Sequence, residues 1–167
     1  MRRENRNKIS KQITELQKNA TRFCFLIENR HDVDHQEWLT EISLILPRIH
    51  AVIGLLDNAS NKSECLFALS DIEERFELFC DLKKHLGKND GYEMGEELRD
   101  NELYGSLSDD LVDLYFEIKR GLDLIKVGEE NLPAALSLWR DGFFLHWGKH
   151  LVDAQRHLYD LRVHHQI

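Results

Sequence analysis

Two prolines and nine glycines are all the strong backbone breakers in 167 residues, too few for a fold of many short strands joined by turns. Cysteine is scarce as well. Cys24, Cys65 and Cys80 are odd in number, far apart and form no Cys-x-x-Cys pair, so they read as reduced thiols filling core positions in a cytoplasm. No apolar run approaches the ~20 residues of a membrane span, and the N-terminus has no apolar signal core, which removes membrane and export from the expected settings. Positive charge is short too: 22 Lys and Arg stand against 30 Asp and Glu, and the net charge of −8 disfavours nucleic acid as a partner. The imbalance is uneven, with eight bases against three acids in residues 1–30 and twelve acids against four bases in residues 93–130. Residues 1–8 read as a frayed basic arm.

What the chain does have is apolar periodicity. With 42% apolar and 31% charged residues, it has the composition of one globular domain over residues 1–167. Ile9, Ile13, Leu16, Ala20, Phe23 and Ile27 step by three or four and make one helical stripe. Trp38, Ile42, Ile45, Ile49, Val52 and Leu56 make a second, with Pro47 predicting a kink or break near Leu46, and Asp57 to Asn61 reads as a turn. Leu69, Ile72, Phe76, Phe79, Leu82 and Leu86 form a third stripe, with Ser70 and Glu73 as a capping pair and Gly87 as its stop. Residues 87–105, with four glycines and many acids, read as the longest loop. Ser106 and Asp109 cap a fourth stripe of Leu107, Leu111, Leu114, Ile118, Leu122 and Ile125, and Gly128 ends it. Pro133 opens a fifth helix predicted to run unbroken to about Arg162. The expected architecture is an all-α, single-domain bundle of five or six helices, the last two forming a long antiparallel hairpin, with no need for strands.

On a wheel of ~100° per residue, His146, His150, Asp153, His157 and His164 fall on one line. His150 lies nearest the apolar face and is expected to be the most enclosed, with His146 at its margin and His157 and His164 freer. Arg140 projects into the apolar face, where a guanidinium needs a carboxylate. The short link from Gly128 to Leu132 makes the last two helices antiparallel neighbours, which places Asp110 level with His150, Asp113 level with Trp147 beside His146, and Glu117 level with Phe143. Asp109, Asp113 and Glu117 recur every four residues, with Asp110 beside them, so an acidic band faces a histidine and arginine band.

Known catalytic motifs do not fit that band. HWGKH has the histidine spacing of a zinc peptidase, but Trp147 occupies the place of its general base, and the phosphate-loop spacing fails between Gly142 and Gly148. A di-iron bundle needs two Glu-x-x-His pairs on separate helices, and the chain supplies Glu28–His31 at a helix end. The residues therefore predict a non-enzymatic structural or interaction module, binding another protein or itself, around a buried network of Asp110, Asp113, Glu117, Arg140, His146 and His150. The alternative is a bundle that binds a divalent metal or small ligand through His146, His150, Asp110 and Asp113. No cofactor is required by the sequence.

GSLSDDLVDLYFEIKRGLDL followed by LWRDGFFLHWGKHLVDAQRHLYDL resembles a bacterial all-helical family known as domain of unknown function 5063. Its shared features fall on Ser106, Leu107, Asp109, Asp110, Leu111, Asp113 and Tyr115, then on Trp139 and Arg140, then on His146, Trp147, Gly148 and His150. The resemblance implies an all-helical cytoplasmic protein without an assigned reaction. It points to the same polar centre, extended by Asp109, Trp139 and Trp147.

Overall fold

The computed structural model describes residues 2–56, 72–93 and 104–167. Helices α1 (Arg2–Glu28), α2 (His35–Ile53) and α3 (Ile72–Leu86) come first, followed by a 3-10 turn at Gly87–Asn89 and the strands β1 (Gly91–Glu93) and β2 (Tyr104–Ser106). Helices α4 (Leu107–Val127), α5 (Leu132–Gly142) and α6 (Gly148–Val163) complete the described residues, with a π-helical turn at Phe143–Trp147 between the last two. The architecture is an all-α bundle with one very small sheet. Helix α4 lies against α1, α3, α5 and α6, and α2 packs on α1 and α6. The expected turn at Asp57 to Asn61 and the capping residue Ser70 lie outside the described residues, as do Cys65 and Leu69.

The stripes of α1, α2 and α4 become the core. Leu16, Ala20, Phe23 and Ile27 meet Trp38, Ile42, Ile45 and Ile49, all buried, and Leu107, Leu111, Leu114 and Ile118 close over them with Leu151, Ala154, Leu158 and Leu161 of α6. Each such side chain contributes about 1.5–3 kcal/mol by leaving water. Trp38 keeps its one polar atom satisfied by donating from Nε1 to the Leu26 carbonyl at 2.8 Å. Asp34 caps α2, accepting from the backbone N–H of Gln36 and Glu37 at 2.9 and 3.2 Å.

Several expectations are corrected by the coordinates. Helix α1 begins at Arg2, so residues 2–8, which hold no Gly or Pro, form its first turns. Helix α2 continues through Pro47, which sits on its exposed face, in place of the expected break. Cys24 is buried and its thiol is pushed up to about 12, mainly by that burial, but Cys80 is exposed and fills no core position. In α3, Ile72 and Phe76 are 63% and 65% exposed. The inward row is Arg75, Phe79, Leu82 and Leu86, one residue out of step at its start: Arg75 takes the inner seat and lays its guanidinium 4.6 Å from the Phe116 ring.

The predicted strand-free loop contains an antiparallel ladder pairing Gly91 with Ser106, Tyr92 with Gly105 and Glu93 with Tyr104; residues 94–103 lie outside the described residues. Its anchor is Asp90. This buried carboxylate accepts from Ser106 Oγ at 3.1 Å and from the Ser108 backbone N–H at 2.7 Å, while its carbonyl accepts from Leu107 N–H at 2.8 Å. Together with Ser106, the expected N-cap, it satisfies the first turn of α4. Gly105 lies face to face with the Tyr92 ring, where a Cβ would overlap the aromatic carbons.

The corner joining α1, α2 and α3 is lined with imidazoles. The ring of His85 stands edge-on to His31, His35 and Trp38 at 5.1, 5.0 and 4.9 Å, and Asp81 pairs with Arg30 and His31. Burial, and then the positive charge of His35, His31 and Arg30, pull the His85 pKa below that of a free imidazole, against the opposing pull of Asp81. Between that lowered value and the unfolded value near ~6.5, the unfolded chain binds more protons, so this group's share of stability is complete above ~pH 6.5 and is lost as pH falls. Urea titrations of wild type and His85→Gln should therefore show a smaller acid-induced loss in the variant; equal losses between pH 7.5 and 5.5 would count against this assignment.

Candidate metal centre

The polar centre forms where α4 and the α5–α6 rod run antiparallel. Ile118 and Gly121 fix their approach: Trp139 donates from Nε1 to the Ile118 carbonyl at 3.0 Å, and any Cβ at Gly121 would overlap the same indole. The rod is helical throughout, but the expected unbroken α-helix contains the π turn, closed by the Gly148 N–H on the Phe143 carbonyl. Glycine is demanded there, because a Cβ on Gly148 would overlap that carbonyl oxygen. A π turn inserts one residue into the helical ladder and often marks a functional site. His146 lies inside it.

Three side chains converge across the hairpin. His150 Nε2 stands 3.2 Å from Asp113 Oδ2, and His146 Nε2 stands 4.0 Å from the same oxygen. One ligand atom from each of Asp113, His146 and His150 lies within 4.8 Å of the others, and all three residues are partly exposed. His150 donates from Nδ1 to Asp110 Oδ1 at 2.8 Å. Asp110, almost fully buried, also accepts the phenolic hydrogen of Tyr92. The bond to Asp110, followed by the charges of Asp113 and Asp109, raises the His150 pKa despite partial burial, while burial lifts the Asp110 carboxyl above its usual range against the pull of its two donors.

The remaining predicted residues are distributed around this group. Asp109 is exposed one turn before Asp113, its carboxyl pushed up by partial burial and by the Asp113 charge. Glu117 is buried with Oε1 3.7 Å from Arg75 and 3.6 Å from Arg120. Arg140, also buried, is met by its chain neighbour Asp141 at 2.6 Å, a partner the helical wheel did not supply. Trp139 and Trp147 are packing residues, each about fully enclosed.

Two placements differ from expectation. Asp110 stands behind His150 instead of among the converging atoms, because both its oxygens are taken by Tyr92 and His150. His157, expected to be freer than His150, is 7% exposed and the more enclosed of the two. It donates from Nε2 to the Asn89 carbonyl at 2.8 Å and stacks on Tyr92 at 4.7 Å, so the turn and β1 cover it. Neither Tyr92 nor Arg75 was among the predicted site residues. Arg75, bonded to Asp113 Oδ1 at 2.7 Å, left one signal: a cation in register with Phe79, Leu82 and Leu86. Glu28 and His31 part company too, with Glu28 accepting from Tyr115 at 2.8 Å and His31 pairing with Asp81.

The family model described as "Domain of unknown function (DUF5063)" matches residues 7–164, nearly the whole chain and all of the converging residues. The chain belongs to that family. No curated protein matches this DUF5063 chain. Among solved structures it is similar to the crystal structure of protein BF1032 from Bacteroides fragilis, a structural-genomics target, with a TM-score of 0.72 and 24% identity over 90% of this chain and 92% of that one. At that identity the likeness shows the fold of the DUF5063 chain. No helix of the described residues is long and apolar enough to cross a membrane.

Proposed function

We propose that this chain binds one divalent transition-metal ion through Asp113, His146 and His150. The observation that carries the proposal is the arrangement of His150: Nδ1 is held by Asp110 while Nε2 points at Asp113 beside His146. A carboxylate behind a ligating imidazole fixes its tautomer and makes the other nitrogen a better donor. Two histidines and one carboxylate suit zinc or ferrous iron, and the partial exposure of all three leaves coordination positions open. Ligand atoms around a tetrahedral zinc stand about 3.3 Å apart, from bonds of about 2.0–2.1 Å. The His150–Asp113 pair already has that spacing at 3.2 Å, and His146 Nε2 lies 4.0 Å from the same oxygen.

The proposal assigns binding and no reaction. Elemental analysis of the purified chain and calorimetric titration with Zn²⁺ should both give about one ion per chain, removable by chelator. A chain that is purified empty and takes up none of Zn²⁺, Mn²⁺ or Fe²⁺ would overturn it.

One observation favours a second reading. Arg75 already neutralises Asp113, so the cluster is also satisfied as a network that locks α3, α4 and α6 in register, the scaffold of an interaction module. Free Cys24 and Cys80 fit a reducing cytoplasm under either reading.

A further inference from the structure

Tyr92 reaches the centre from outside the helical hairpin, and almost everything around it holds it there. Its ring is stacked between His157 on one side and the Gly105 backbone, and the Arg156 guanidinium lies 5.6 Å from its centroid. Arg156 also donates to the Glu93 carbonyl at 3.0 Å, and His157 holds the carbonyl of Asn89. The 3-10 turn and β1 are thus clamped onto one face of α6, with β2 paired to β1, and the clamp directs the phenolic hydroxyl of Tyr92 at Asp110. Burial and the Asp110 bond both keep that hydroxyl protonated, so it is a fixed donor.

Asp110 accepts from two directions at once. The Tyr92 hydrogen occupies Oδ2, which leaves Oδ1 for His150 Nδ1 and sets the rotation of the carboxylate that orients the imidazole. Without the phenol, Asp110 is a buried carboxylate with one donor and a freer rotor, and His150 loses the restraint that aims Nε2 toward Asp113. By reciprocity, an ion that favours the aimed imidazole also favours the docked ladder.

We infer that Tyr92 is a positioning residue for the metal centre, coupling the β1–β2 ladder to metal occupancy through Asp110 and His150. This rests on the metal-binding reading above. Tyr92→Phe preserves the ring stack and removes the hydroxyl alone. In wild type, Zn²⁺ should slow amide hydrogen exchange in residues 91–93 and 104–106. In Tyr92→Phe, Zn²⁺ affinity should fall about 10–100-fold at unchanged stoichiometry, the range for loss of an outer partner, and the metal-dependent protection of the ladder should disappear. A Co²⁺ spectrum separates positioning from mere structural loosening: its d–d bands should shift in Tyr92→Phe and stay in place in Tyr115→Phe, which removes a phenolic bond to Glu28 without touching Asp110 or the ladder. If wild type binds Zn²⁺ and Tyr92→Phe binds it equally well with the same Co²⁺ bands, the inference is wrong while the metal reading stands. If wild type binds no metal, both fall.

Discussion

His146→Ala should lower Zn²⁺ affinity by more than ~100-fold, beyond the loss expected for an outer partner, and leave the fold in place. The proposed ligand set has three protein donors among the described residues, and three are about the fewest that hold zinc in an open site. The fold is spared because His146 is the most exposed of the three, at 34%, and is positioned by the π turn, which depends on Gly148. Circular dichroism and thermal melting of the apo protein should therefore resemble wild type while calorimetry shows little heat with Zn²⁺. Equal affinity in the variant would remove His146 from the ligand set. A variant that fails to fold would place His146 in the structural network favoured by the Arg75–Asp113 pair.

Asp110→Ala should be costly in stability, about 3–5 kcal/mol, the penalty for breaking a buried charged pair from one side. That is a large part of the ~5–15 kcal/mol that typically holds a domain together. Asp110 is 4% exposed, and its removal strands the Tyr92 hydroxyl and His150 Nδ1 together, next to a cavity on the first turns of α4. Asp110→Asn keeps the shape and one acceptor oxygen, so its cost should be smaller. Urea titration reads both, and an alanine variant that loses less than ~1 kcal/mol would show that this carboxylate is dispensable to the fold. Metal binding and stability are thus tested at different residues, His146 and Asp110, so the two readings of the centre separate cleanly.

The helical stripes were legible because burial imposes a period. Trp38, Ile42, Ile45 and Ile49 could share a face in one way only, and all four are buried. The pairing of α4 with the last rod was legible for a related reason: a link as short as residues 128–132 leaves two helices little choice but to lie antiparallel. Level matching across that link put Asp110 beside His150, and the two stand 2.8 Å apart. Where periodicity carries no information, the sequence misled. Phe76 and Arg75 are adjacent, and hydrophobicity favours the phenylalanine for the inner seat; the arginine holds it because Phe116 and Asp113 wait there. His157 is more enclosed than His150 because the Asn89 carbonyl and the Tyr92 ring cover it, and a wheel of α6 alone contains neither.

The sequence by itself determined the helices, their apolar faces, the antiparallel hairpin and the acid-against-histidine pairing, since each follows from near-neighbour spacing along one or two elements. Only the tertiary structure decided the roles within the centre. Tyr92 and Arg75 arrive from segments distant in the chain, 18 residues before Asp110 and 38 before Asp113, and their hydrogen bonds make Asp110 a support and leave a single oxygen of Asp113 facing the imidazoles. Which oxygen a carboxylate offers, and to what, depends on donors approaching from three directions at once, and no one-dimensional pattern records that.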